Sequence, residues 1–131
     1  GSRLTAWELK RAGFDVTLIT DNMVAEVMAE GKIKKVIVGA DHLARNGDIA
    51  NKIGTLQIAI LAKYFSIPFY VLCPPPSDAQ SGKDIVIEIR PDKELLEFDG
   101  KRVAPAGVKG YYPAFDVTPQ QLITQHIYLR L

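Results

Sequence analysis

The chain is 131 residues long, 47% hydrophobic, 24% charged and 8% aromatic, with 16 Lys and Arg against 15 Asp and Glu and a formal net charge of +1. That length fits one core, since domains cluster at roughly 100–150 residues, and the composition excludes a disordered polar tract, a collagenous repeat and a disulfide scaffold. Dispersed, balanced charge leaves no footprint for nucleic acid or an anionic membrane, and no apolar run approaches the ~20 residues of a membrane span.

Gly1-Ser2-Arg3-Leu4 lacks the apolar core of a signal peptide. There is no initiator Met and a capped helix opens at once, which points to a fragment of a longer chain forming one domain over residues 1–131. Thr5 and Glu8 have capping-box spacing, with Leu4 and Leu9 placed as a hydrophobic staple, so a helix is predicted from Ala6 to Ala12, stopped by Gly13. Asp15 to Thr20 reads as a strand. Thr20-Asp21-Asn22 supplies caps for a helix carrying Met23, Val24, Val27 and Met28 and ending near Gly31. Lys35 to Gly39 is the next predicted strand.

A polar stretch from Ala40 to Asp48 follows, and then Ile49, Ile53, Leu56, Ile60 and Tyr64 recur at helical spacing. They predict one long apolar helix from Ile49 to Phe65, buried on more than one side. Pro68 to Cys73 is a third strand, and apolar, β-branched strands alternating with helices imply a parallel sheet with right-handed crossovers. Pro74-Pro75-Pro76 opens a loop to Gly82. Ile85 to Ile89 alternates like a strand, Lys93 to Phe98 reads as a helical turn, and Thr118-Pro119 opens a last helix through Gln125.

Dinucleotide, P-loop, metalloprotease and nucleophile-elbow motifs are absent, and two distant histidines, His42 and His126, give no basis for a metal site. The single Cys73 admits no internal disulfide, agrees with a reducing cytosol, and reads as a small buried hydrophobe. Chemistry concentrates between Gly39 and Thr55. Asp41 follows the carboxyl end of a predicted parallel strand, where such sheets take ligands, but also reads as a loop carboxylate capping the next turn. Asp48 and Asn51 suit caps of the long helix. Lys52 in that helix's first turn opposes the macrodipole unless an anion sits there, so the residues alone suggest a small phosphorylated ligand held by free amides, dipole and ammonium. Gly54 inside the helix suggests close approach of a neighbour. Trp7 reads as core, and Pro113 to Pro119 as a loop packed on the core.

Several segments carry a resemblance that covers nearly the whole chain: Leu4-Thr5-Ala6-Trp7-Glu8-Leu9, Thr20-Asp21-Asn22-Met23, Val38-Gly39-Ala40-Asp41, Asn46-Gly47-Asp48, Asn51-Lys52-Ile53-Gly54-Thr55, Pro68-Phe69-Tyr70-Val71 and Pro113-Ala114-Phe115-Asp116-Val117-Thr118-Pro119. In this order they resemble the C-terminal, Rossmann-like domain of methylthioribose-1-phosphate isomerases, relatives of ribose-1,5-bisphosphate isomerases and of the regulatory subunits of translation initiation factor 2B. The resemblance implies an α/β, three-layer, mostly parallel fold and a cytoplasmic, homodimeric enzyme of methionine salvage. Its reaction converts 5-methylthioribose 1-phosphate to 5-methylthioribulose 1-phosphate without metal or nucleotide cofactor. It also implies that Asp41 is the catalytic acid and that Asn51 and Lys52 bind substrate. The family's catalytic cysteine belongs to the N-terminal half and is not Cys73, and a substrate-binding glutamine would fall just before Gly1, so the fragment alone is expected to be inactive. His42 stands where the family usually has arginine, and the triple-proline loop is atypical. A bisphosphate isomerase and a non-enzymatic regulatory module are the rival readings; retention of Asp41, Asn51 and Lys52 favours the enzyme.

Overall fold

A computed structural model of the chain describes residues 3–128. Helix α1 (Thr5–Arg11) and helix α2 (Val24–Ala29), the latter entered through a 3-10 turn over Asp21–Met23, precede strand β1 (Val36–Gly39). A short hairpin of β2 (His42–Leu43) and β3 (Ile49–Lys52) leads into helix α3 (Thr55–Tyr64) and strand β4 (Phe69–Cys73). After the proline loop come β5 (Ile89–Arg90), a single turn α4 (Lys93–Leu96), β6 (Glu97–Phe98), β7 (Lys101–Arg102), β8 (Tyr112–Pro113), β9 (Phe115–Thr118) and β10 (Gln125–Tyr128).

The α/β, Rossmann-like arrangement with a mostly parallel main sheet is the one expected. β1, β4 and β10 lie side by side, all parallel, with Val38 opposite Val71 and His126 opposite Val71 on its other flank. β4 is central because it is the most apolar strand, and Phe69, Val71 and Cys73 all point into the core. α3 packs on that core through Ala59 and Ala62, with Ile49, Leu43 and Met28 closing it. Small side chains on the inner face of α3 let helix and sheet approach closely. A second, antiparallel sheet, β2–β3–β9, sits at the carboxyl end of β1.

Several expectations fail for identifiable reasons. The long helix from Ile49 is two elements: Ile49–Lys52 pairs with β2 and β9 as a strand, and the helix begins only at Thr55. The apolar stripe is split accordingly, with Ile49 buried and Ile53, Ile60 and Tyr64 exposed. The last predicted helix is a 3-10 turn over Gln120–Leu122 followed by β10, because pairing with β4 outweighs the local Thr-Pro signal. Of Ile85 to Ile89 only Ile89 joins a strand, β5. Thr5 does not cap α1, and Trp7 is 54% exposed beneath the Arg11 guanidinium rather than core.

Asp15 to Thr20, expected as a strand, takes no regular secondary structure and belongs to no ladder among the described residues. Leu18 and Ile19 are exposed, as is Ile37 on β1, itself an edge strand. A groove of about 1000 Å³ is walled by this segment on one side and Val38 on the other, with Leu9, Met23 and Ile58 around it.

Candidate functional site

The site grows out of the end of β1. Asp41 stands just past Gly39, beyond the carboxyl end of a parallel strand. It is exposed, as is His42. The Asp41 backbone N–H donates to Ala50 O at 2.9 Å, and His42 pairs with Ala50. Carrying that antiparallel register outward by one sets Asp41 against Asn51. On the far side of β3, Asn51 faces Asp116 and Lys52 faces Phe115. The hairpin thus brings Asp41, Asn51 and Lys52 to one end of the second sheet.

The hairpin turns at Asn46-Gly47, where Gly47 takes φ of 91°, a region that favours glycine. Asp48 then ties three loops together rather than capping a helix. Its Oδ2 accepts Asn46 Nδ2–H at 2.8 Å and Gly82 N–H at 3.0 Å, and its Oδ1 accepts Gln120 N–H at 3.0 Å. Partial burial pushes the Asp48 carboxyl up, but these three donors outweigh it and hold the group below its usual value. The proline loop is fastened to the same hairpin, through Ser77 N–H to Leu43 O, Arg45 N–H to Ala79 O and Asn46 N–H to Gln80 O. His126 Nε2 lies 2.8 Å from Gly47 O and donates to it.

The phosphate site expected at a helix N-terminus takes a different form. Lys52 ends a strand, and its ammonium rests 4.7 Å from the centre of the Phe115 ring. Gly54, not a mid-helix residue, is the N-cap of α3 with φ of 104°, and a Cβ there would meet no neighbour, so backbone conformation and not crowding requires glycine. Two of the amides at the start of the helix are already occupied: Asp116 Oδ2 accepts Gly54 N–H at 2.7 Å and Oδ1 accepts Leu56 N–H at 3.0 Å. The anion at the positive end of this helix is the protein's own carboxylate. Asn51 does not cap the helix either; its Nδ2–H donates to Thr55 Oγ1 at 3.0 Å, and the Thr55 hydroxyl donates to Lys52 O at 2.7 Å.

Lys52 lines a cleft of about 200 Å³ with Asp21, Ile53, Gly54, Thr55 and Gln57, whereas Asp41 and Asn51 lie outside that lining. Cys73 is buried and free, its thiol pushed up by burial, which fits packing and not nucleophilic use. Asp116 and Thr55 are the site residues that sequence reasoning missed. Asp116 gives no local signal, because its amide partners lie 62 and 60 residues away; the alternation in Phe115-Asp116-Val117-Thr118 hinted only at a strand.

A parallel α/β domain with acidic, amide and cationic residues on the short strands beyond the carboxyl end of β1 has the layout of an open-sheet ligand-binding domain. Residues 1–128 match the initiation factor 2 subunit family, and the chain belongs to that family. It is 58% identical over 127 residues to a methylthioribose-1-phosphate isomerase of Exiguobacterium sibiricum, a match covering 95% of this chain and 36% of the relative. Among solved structures, it is similar to 5-methylthioribose 1-phosphate isomerase from Pyrococcus horikoshii, with a TM-score of 0.91, 48% identity, and 97% of this chain matched to 36% of that one. It is also similar to translation initiation factor eIF-2B subunit delta from A. fulgidus, with a TM-score of 0.90, 50% identity, and 97% of this chain matched to 38% of that one. The chain therefore spans little more than a third of the length of the relatives it matches.

Proposed function

We propose that this chain is the C-terminal domain of an aldose–ketose isomerase that converts 5-methylthioribose 1-phosphate to 5-methylthioribulose 1-phosphate in the cytoplasm, working as a homodimer. What carries the reading is the register of β2, β3 and β9, which gathers Asp41 with the Asn51-Lys52 pair; the named isomerases at 58% and 48% identity supply the reaction. Phosphate on the anomeric oxygen blocks ordinary ring opening. Asp41, as acid, gives its proton to the ring oxygen as the C1–O ring bond breaks, leaving an oxocarbenium at C1 that still carries the phosphate; a hydrogen then passes from C2 to C1 and the 2-hydroxyl gives up its proton, which leaves the ketone at C2 and returns the proton count to its start. Lys52 balances charge on the phosphate or on the developing oxyanion, and Asn51 holds a sugar oxygen. Asp41 is exposed in this chain, so enclosing the substrate around it falls to the rest of the longer protein. The apolar outer face of α3, with Ile60 and Tyr64 exposed, and Ile53 exposed just before it, supports burial at a subunit or domain contact.

The test follows conversion of 5-methylthioribose 1-phosphate by NMR in the longer protein, in its Asp41→Asn variant, and in the 131-residue chain alone. The longer protein converts the substrate, the variant loses the 10²–10⁴-fold that general acid catalysis supplies, and the isolated chain is inactive. A variant within about tenfold of the parent makes Asp41 structural. The similarity to an initiation factor subunit at 50% identity favours a second reading, a regulatory module without turnover; a well-folded longer protein that converts nothing selects it.

A further inference from the structure

We propose that Asp116 is a positioning residue for the substrate-holding pair, setting Lys52 and Asn51 through the start of α3; this rests on the isomerase reading above. Helix starts are ordinarily capped by a Ser, Thr, Asp or Asn at the N-cap itself. Here the N-cap is Gly54, which has no side chain to offer, and the cap is a carboxylate from β9 that accepts both Gly54 N–H and Leu56 N–H. A local cap would fix only the helix. This one also fixes the helix to the strand that pairs with Asn51 and Lys52, since Asp116 lies opposite Asn51 in the β3–β9 ladder.

From that anchor a relay runs to both residues of the pair. Thr55, buried in the first turn of α3, donates its hydroxyl proton to Lys52 O and accepts from Asn51 Nδ2–H. The turn between Lys52 and Thr55 carries the left-handed Gly54; Ile53 N–H, donating to Ala114 O at 3.1 Å, ties its near end to the neighbouring strand, and the Asp116 carboxylate holds its far end. The same anion takes two of the amides at the helix start, and its negative charge opposes their attracting a phosphate. It leaves that role to the Lys52 ammonium, which lies over Phe115, the residue next to Asp116. Asp41 is reached by none of these bonds; its N–H is held by Ala50 O. The positioning role therefore bears on substrate binding and leaves the acid in place.

The experiment measures steady-state kinetics on 5-methylthioribose 1-phosphate, and calorimetric binding of the same compound, for the longer protein and its Asp116→Asn and Thr55→Val variants. Asn has one acceptor oxygen and must turn an N–H toward one of the two amides; Val removes the relay hydroxyl at nearly constant volume and keeps the test alive if the Asp116 variant does not fold. The expected result is a KM and a Kd raised about tenfold with kcat changed less than threefold, as for loss of an interaction made equally with substrate and transition state. Simple loss of folded protein lowers apparent kcat at constant KM, and that pattern overturns the proposal, as does an unchanged KM and Kd. If the unsubstituted protein binds the sugar phosphate without converting it, the isomerase reading fails and the Kd comparison still decides the role of Asp116. Neither binding nor turnover in the unsubstituted protein overturns both.

Discussion

Removing the Asp48 carboxylate tests how the site's loops are held. Its three bonds all come from donors, two of them backbone amides on segments far apart in sequence. The Asn46 and Gln120 donors are exposed and water replaces the lost acceptor, so their loss costs little. Gly82 is buried and its N–H has no such replacement; stranding a buried donor costs about 1–3 kcal/mol. Asp48→Ala is therefore expected to lose about 2 kcal/mol of stability in urea unfolding followed by circular dichroism, with the denaturant slope unchanged. Asp48→Asn keeps an acceptor for the two donors at Oδ2, Gly82 N–H among them, and gives up only the bond to the exposed Gln120 N–H, so it is expected to lose less than about 1 kcal/mol. The pH dependence carries a sign. Because the folded carboxyl is held below its usual 3.8, the unfolded chain binds the proton first as pH falls. The stabilisation is present above 3.8 and is lost as pH drops through the folded value, so stability declines in acid, and that part of the decline is absent in Asp48→Ala. A loss below about 0.5 kcal/mol in Asp48→Ala at neutral pH refutes the reasoning, since it equals an ordinary surface change.

Gly82→Ala sets a Cβ into Val117 Cγ1 and against Asp48 Cβ, at a buried position on the opposite wall of the same junction; overpacking of this kind costs about 1–3 kcal/mol, and a thermal midpoint equal to that of the parent contradicts it. Cys73, buried at the end of β4 with its thiol pushed up by burial, is expected to react with a thiol reagent at neutral pH only as fast as the protein unfolds. Rapid stoichiometric labelling under native conditions counts against its burial.

Two of the three strands of the main sheet were legible because their signal is local: Val36-Ile37-Val38 and Phe69 to Cys73 are β-branched or aromatic runs bounded by breakers. Ile49 to Lys52 was misread because Ile49 and Ile53 also fall on a helical stripe. What decides between strand and helix there is the ladder to Phe115–Thr118, a partner that the local spacing does not reveal. The Asn46-Gly47 turn was the clue that the chain doubles back, and Gly54 the clue that the helix had not yet begun. Likewise Thr118-Pro119 starts a helical turn, but the following residues reach β4 first and become its parallel neighbour. Asp41, Asn51 and Lys52 were singled out in the sequence as candidates, without their arrangement. Their meeting depends on a hairpin, and the carboxylate that shapes their turn comes from the other end of the chain.

The groove beside β1 bears on solubility. Its wall is a strand edge whose amides and carbonyls on that side meet no ladder among the described residues, lined by Leu9, Val16, Leu18 and Met23. Such an edge is a template that accepts any extended, alternately apolar chain, and the Asp15 to Thr20 segment of a neighbouring molecule is one. Charge changes elsewhere on the surface leave that edge as it is, so a net charge of +1 and an unpaired apolar edge act on association as separate features of the domain.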